Sequence, residues 1–384
     1  MKYFDNAATT PPYKEVIRTI TEVMSAHYGN PSSLHRYGED SARLLQKARE
    51  VCAEALGVHA GEIVFTSGAT ESNNIALKGA ALQWITRGKH LITTMTEHPS
   101  VFESFKQLER QGWEVTYLEV DAAGKVTEEQ VAQAVRTDTV LVSVMHVNNE
   151  TGCVQPVAEI GRMLKKKYPR VLFHVDGVQG FGKVPLYLKE SGIDLYSLSA
   201  HKIRGPKGIG LLYVREGVSL FPLLTGGGQE GGLRPGTENI PYIVGMAKAV
   251  RMAKEAEKTV SERLKLLRAT LMEGISRLPE LKLNSVPEGA PHIVHFSYPG
   301  MKAEALLHML EEEGFLVSTK SACSSRKAEP SRVLQAMGKL PDICLSGIRI
   351  SLGDEHTESD IQDLIAALNK AVGRVRHLKG ENLT

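Results

Sequence analysis

The sequence predicts an α/β protein: a large domain built on a mainly parallel seven-stranded sheet, followed by a smaller α+β domain. Three observations carry this. From about residue 60 to 214, seven short β-rich runs alternate with amphipathic helical stretches, the pattern of a parallel sheet covered by helices on both faces. A charged, periodic stretch over 241–278 then reads as one long helix or two. Beyond about Lys282 the order changes to strand, helix, strand, loop, strand and helix, an α+β unit of its own.

The expected strands of the sheet are residues 62–66, 90–94, 115–118, 139–143, 171–175, 194–199 and 208–214, each rich in Val, Ile, Leu, Tyr or Thr. Gly226-Gly227-Gly228 marks a loop before the long helical stretch. The second unit is expected to hold strands at 292–296, 315–318 and 348–352 and helices at 303–313 and 358–375. We divide the chain into a large domain of residues 13–257 and a small domain of 258–384 joined by 1–12. The lysine run 165–167 is read as a solvated helix end before Pro169.

Charge narrows the function. With 46 basic and 44 acidic side chains in 384 residues, no domain-wide field favours nucleic acid or a membrane surface, which leaves small molecules and proteins as partners. The opening Met1-Lys2-Tyr3-Phe4-Asp5-Asn6 has no secretory h-region, and no run approaches the roughly 18 apolar residues of a membrane span; a cytoplasmic protein is expected. Cys52, Cys153, Cys323 and Cys344 are scattered, with no C-x-x-C pair, so neither a disulfide framework nor a metal site is read and a cysteine that matters does so as a free thiol.

The sharpest chemical signal is Ser199-Ala200-His201-Lys202, directly after a β-rich run. A lone lysine is most often solvated, but His174-Val175-Asp176-Gly177-Val178-Gln179 delivers an acid and an amide at another strand end. An Asp there can keep a pyridine nitrogen protonated while a lysine forms an imine, the arrangement pyridoxal phosphate uses as an electron sink. Taken alone, Asp176 is also readable as a helix cap. A phosphate cradle is offered by Thr66-Ser67-Gly68-Ala69-Thr70-Glu71-Ser72-Asn73-Asn74, where a strand turns into a helix; a plain capping box is its simpler reading. Ser199 and His201 can complete the cradle.

Together with Asp5 to Thr10, Gly29-Asn30-Pro31-Ser32-Ser33, Thr96-Glu97-His98 and Asn148-Asn149-Glu150, these segments follow one another in the order found in the cysteine desulfurases, which the chain resembles over nearly its whole length. The resemblance implies a fold type I pyridoxal 5′-phosphate homodimer of the class V group. Ala69, Thr70, Ser199 and His201 would surround the phosphate, Asp176 would sit under the pyridine nitrogen, and Gln179 would bond the ring hydroxyl. His98 matches the histidine that stacks on the ring and moves protons. Asn149 matches the asparagine near ring and substrate, with Asn148 as the neighbouring alternative. Thr237, in Arg234-Pro235-Gly236-Thr237, would bind phosphate across the dimer.

The same resemblance points to Cys323, in the polar segment Ser321-Ala322-Cys323-Ser324-Ser325, as the nucleophile that receives sulfur. L-cysteine would displace Lys202, whose freed amine takes the α-proton, while the planar fork of Arg349 clamps the substrate carboxylate; a surface ion pair is the plainer reading of Arg349. Alanine leaves, and an acceptor protein of iron–sulfur assembly, tRNA thiolation or cofactor thiolation takes the sulfur. The nine residues from Cys323 to Ser331 match the long-loop group in length. Two departures stand out. Gly353-Asp354-Glu355-His356-Thr357 lacks the arginine often found there, and the sequence stops soon after Leu378, where relatives often continue into a tail that docks an iron–sulfur scaffold. A selenocysteine lyase or another class V aminotransferase is the near alternative, and a non-enzymatic persulfide carrier the distant one.

Overall fold

The computed structural model describes residues 1–319 and 329–381, so Cys323 lies outside the described residues. The chain begins with a short strand, β1 (Lys2–Tyr3), and two helices, α1 (Lys14–Ala26) and α2 (Arg36–Leu56). Seven strands then form the main sheet: β2 (Ile63–Thr66), β3 (His90–Thr94), β4 (Glu114–Leu118), β5 (Thr139–Ser143), β6 (Leu172–Asp176), β7 (Leu195–Ser199) and β8 (Gly210–Val214). Between them lie α3 (Ala69–Gln83), α4 (Pro99–Arg110), α5 (Glu128–Ala134) and α6 (Val157–Lys167).

The strand order is β2-β8-β7-β6-β5-β3-β4. The run from β7 to β4 is parallel throughout, whereas β8 is antiparallel to both its neighbours. The cause lies in the connections. Parallel neighbours need a crossover long enough for a helix, but residues 200–209 hold only a tight turn, so the chain folds straight back. Both faces of the sheet are covered: Phe65, Val142, Phe173 and Leu198 pack into one core, and Val64, Leu141, Leu172 and Leu195 into another. This is why the strands read as continuous apolar runs.

The stretch that sequence left as one helix or two is a single helix of 37 residues, α7 (Ile240–Ser276). Asn239 caps it by accepting from the Tyr242 N–H at 3.3 Å, and the only proline, Pro241, sits in the first turn, where its missing N–H costs nothing. Its first half buries Ile243, Met246 and Val250 in the core of the main sheet. Its second half buries Leu264, Leu267, Leu271 and Ile275 in a separate core with Phe4, Phe296, Ile350 and Leu368.

That second core is built on β9 (Lys282–Leu283), β10 (Ile293–Ser297), α8 (Ala303–Glu312), β11 (Phe315–Leu316), α9 (Arg332–Ala336), α10 (Pro341–Leu345), β12 (Gly347–Ser351) and α11 (Glu358–Glu381). Strands β12-β10-β9 form an antiparallel sheet, and β1 pairs in parallel with β11. The N-terminus is thereby drawn into this unit, with Phe4 stacked on the His356 ring at 4.0 Å. No helix among the described residues is long and apolar enough to cross a membrane.

One contact ties the sheet to the turn that opens α3. A Cβ at Gly210 would lie 2.7 Å from the Gly68 Cα and 2.6 Å from the Leu198 carbonyl oxygen. Gly210→Ala is therefore expected to destabilise the fold by about 1–3 kcal/mol, read as an earlier midpoint in urea or thermal unfolding. An unchanged midpoint would contradict this close packing.

Candidate active site

A cleft of about 560 Å³ opens at the carboxyl ends of the parallel strands, where α/β sheets collect their functional groups. Its floor begins at the turn from β2 into α3. Gly68 occupies the N-cap with φ 153° and offers no side-chain cap, so the first N–H groups of α3 have no partner within the helix. Ala69 and Thr70 line the cleft there, facing Ser199 and His201. An uncapped helix start with a hydroxyl opposite it is suited to a phosphate.

Asp176 ends β6 and is 5% exposed. Its Oδ1 accepts from the Val178 N–H at 3.1 Å and its Oδ2 from the Asn73 amide at 2.8 Å. Both partners are neutral, and a buried carboxylate gains most from a cation on its remaining face. A protonated ring nitrogen would fit. Beside it, Gln179 donates from Nε2 to the Ala7 carbonyl at 2.9 Å and accepts at Oε1 from His292 Nε2 at 3.2 Å. The Ala7 carbonyl only accepts, so the amide orientation is fixed. Gln179 keeps one N–H for the cleft.

Lys202 lies in a tight helical turn over Ala200–Lys202, right after β7. Its Nζ donates to the Ala7 and Ala8 carbonyls, each at 2.7 Å. His201 Nδ1 is 3.2 Å from the Thr9 hydroxyl, and burial, aided by the charge of Lys202, pushes its pKa down to about 4. The neutral ring can thus donate to an anion only through one N–H. The segment 5–10 consequently threads along the cleft and touches the lysine, the amide and the histidine.

Arg349, on β12, is 1% exposed. Its Nη1 donates to the Asn149 carbonyl and its Nη2 to Asp5 Oδ1, both at 2.8 Å, while Nε is buried with no hydrogen-bond partner among the described residues. The plain reading of Arg349 as a surface ion pair therefore fails. The two asparagines separate equally clearly. Asn148 is consumed by its own turn, donating to the Thr96 carbonyl and accepting from the Glu150 and Thr151 N–H groups, whereas Asn149 lines the cleft.

His98 caps α4 and lines the cleft. Burial holds its pKa below the ordinary value, although the charge of Asp176 pulls the other way. Thr237 is exposed and does not line the cleft; it borders an adjoining groove with Arg234 and Gly236 that shares Ser67 and Gly208 with it. The structure thus brings together Ala69, Thr70, His98, Asn149, Asp176, Gln179, Ser199, His201, Lys202 and Arg349, leaves Thr237 outside, and does not describe Cys323.

Sequence reading missed the groups that hold these side chains. Asn73 stands in the Thr66 to Asn74 run without a role of its own, Ser100 carries no motif signal, and His292 sits 113 positions from Gln179. Asp5 was visible only as part of a motif.

Comparison with known proteins agrees in extent and kind. Residues 2–364 match the family model described as Aminotransferase class-V. This chain belongs to the class V aminotransferases, a family of pyridoxal phosphate enzymes, and within it to the cysteine desulfurases. A cysteine desulfurase IscS from Methanosarcina thermophila is 42% identical over 377 residues, covering 98% of this chain and 93% of the relative. One from Escherichia coli O9:H4 (strain HS) is 44% identical over 382 residues, covering 98% and 94%. A solved NifS-like protein superposes with a TM-score of 0.91 at 39% identity, covering 97% of this chain and 99% of that one. The structure described as SspA in complex with cysteine gives 0.81 at 37% identity, covering 93% and 100%.

A buried acid beside the cleft yields a pH test. Glu97 is fully buried; its Oε1 accepts from the Thr94 hydroxyl and the Met145 N–H, each at 2.9 Å, and Oε2 has no partner among the described residues. Burial raises its pKa from 4.5 to about 8. A group raised on folding stabilises fully below its unfolded value, and that contribution is lost as pH rises through the folded one. The stability of the wild type relative to Glu97→Gln should therefore decline between about pH 4.5 and 8, measured by urea unfolding. A difference that stays flat over this window would contradict a neutral Glu97.

Proposed function

We propose that this protein removes sulfur from L-cysteine, releases L-alanine and leaves a persulfide on Cys323 for an acceptor protein. The observation that carries this reading is the convergence of Lys202, Asp176 and Arg349 on one cleft in a chain whose full-length relatives are named cysteine desulfurases. When bound, pyridoxal 5′-phosphate supplies the electron sink that tolerates negative charge at the substrate Cα.

The chain's own residues do the rest. The start of α3, with Thr70, Ser199 and His201, would hold the phosphate; Asp176 would serve the ring nitrogen and the remaining N–H of Gln179 the ring hydroxyl, with His98 and Asn149 beside them in the cleft. Arg349 receives the substrate carboxylate. Lys202 would be the lysine that holds the cofactor, and its freed Nζ would accept the proton from the substrate Cα and return it later. The Cys323 thiolate then attacks the substrate sulfur, the S–Cβ bond breaks with its electron pair left on carbon, and that carbon is protonated. Thiol plus L-cysteine gives persulfide plus L-alanine, so atoms and electrons balance.

Two observations favour Cys323 as the acceptor. Burial pushes the thiols of Cys52 and Cys153 up to about 12 and raises that of Cys344, which makes them poor thiolates. The described residues on either side of the Cys323 segment are also fixed at the cleft. Ser318 exchanges backbone hydrogen bonds with Arg349 at 3.1 and 2.7 Å, and the Ser331 hydroxyl donates to Glu150 at 2.5 Å.

The exposed Thr237 fits a homodimer in which it completes the phosphate site of a second copy, and the reading places the protein in the cytoplasm. The sulfur would pass from Cys323 to a scaffold or a thiolation enzyme.

The deciding experiment is Cys323→Ala. The variant should keep the visible absorbance of the bound cofactor and lose sulfide production from L-cysteine by more than about a hundredfold. Undiminished turnover in the presence of a dithiol would overturn the persulfide step in favour of another class V reaction. A wild type with no visible band after pyridoxal phosphate is added would instead point to a carrier.

A further inference from the structure

A chain of hydrogen bonds runs from Asp176 to His98, and donor and acceptor chemistry fixes its direction. The Asn73 side chain is fully buried. Its Nδ2 donates to Asp176 Oδ2 and to the Ser100 hydroxyl, each at 2.8 Å, because a carboxylate oxygen can only accept from it. Having accepted from Asn73, the Ser100 hydroxyl has its own hydrogen for His98 Nδ1, 2.8 Å away. The Ser100 backbone N–H reaches the same nitrogen at 3.2 Å, as the N-cap bond of α4. His98 Nδ1 thus receives two donors, both from Ser100.

A nitrogen that accepts two hydrogen bonds carries no hydrogen, so the neutral ring has its proton on Nε2. Protonating Nδ1 would strand the Ser100 N–H without an acceptor and force the hydroxyl, already accepting from Asn73, to give up its donor role and accept from the ring as well, near a helix start whose dipole already disfavours a cation. The charged groups around the ring oppose one another: Asp176 favours the imidazolium, while Lys202 and Arg332 disfavour it.

Resting on the function proposed above, we propose that Ser100, oriented by Asn73, is a positioning residue that locks His98 as the neutral Nε2–H form. His98 would then serve the reaction as a hydrogen-bond donor through Nε2–H into the cleft, with no free lone pair to take a proton from carbon. The transfers at Cα fall to Lys202 alone. This narrows the role expected of the histidine from sequence, which included moving protons.

The test is ¹⁵N NMR of the full-length protein labelled at histidine, with and without pyridoxal phosphate, with the His98 signals identified by their loss in His98→Gln. The expected result at pH 7–8 is one protonated nitrogen, Nε2, and one unprotonated nitrogen, Nδ1. Ser100→Ala removes a donor to the neutral ring and should move the His98 titration upward by roughly one pH unit, with Ser100→Thr restoring it. A merely structural serine would lower stability and leave that titration in place. An imidazolium or an Nδ1–H ring in the wild type, or an unmoved titration in Ser100→Ala, would overturn the inference. Wild-type protein that makes sulfide while His98 is an imidazolium defeats this inference alone; wild-type protein that makes none defeats the proposed function, and the NMR readout stands in either case.

Discussion

The site depends on a buried charge. Arg349 reaches into the cleft from β12 at 1% exposure, and a guanidinium so far from water is tolerated only when it is paired and hydrogen-bonded. Asp5 supplies the opposite charge and the Asn149 carbonyl a second acceptor. Breaking such a buried pair typically costs about 3–5 kcal/mol. The pairing therefore holds three distant parts of the chain in register: the N-terminal segment, the turn after β5 and the strand β12.

From that anchor the N-terminal segment does further work. The Ala7 and Ala8 carbonyls receive the Lys202 ammonium, and Ala7 also receives Gln179. Lys202 and Arg349, proposed to serve the cofactor and the substrate carboxylate, are thus both fixed by residues 5–8. The segment follows β1, which pairs with β11 of the second unit in a separate two-stranded sheet, so the cleft is completed by chain from both hydrophobic cores. Neither core could form it alone.

Much of this was legible in the sequence because the local signals agree with the global fold. All seven strands of the main sheet fall within two residues of their expected places, since each is a buried apolar run bounded by turn residues. The direction of β8 was not legible from strand content; only the shortness of 200–209 encodes it. Lys202, Asp176 and Gln179 were visible because strand ends and motif spacing place them. The choice between Asn148 and Asn149 was not, for it depends on which side chain the turn consumes. The holding roles of Asn73 and His292 were not legible for a related reason: each bonds a residue far along the chain, Asp176 and Gln179, at 103 and 113 positions' separation, and such pairings leave no periodic trace.

The central claim is that Lys202 is the residue to which the cofactor is joined. Borohydride reduction of the protein loaded with pyridoxal 5′-phosphate, followed by peptide mass mapping, tests it directly. The account predicts a reduced pyridoxyl phosphate group on the peptide that contains Lys202 and on no other. A label on Lys183 or Lys207 instead, or no label on any peptide, would contradict it.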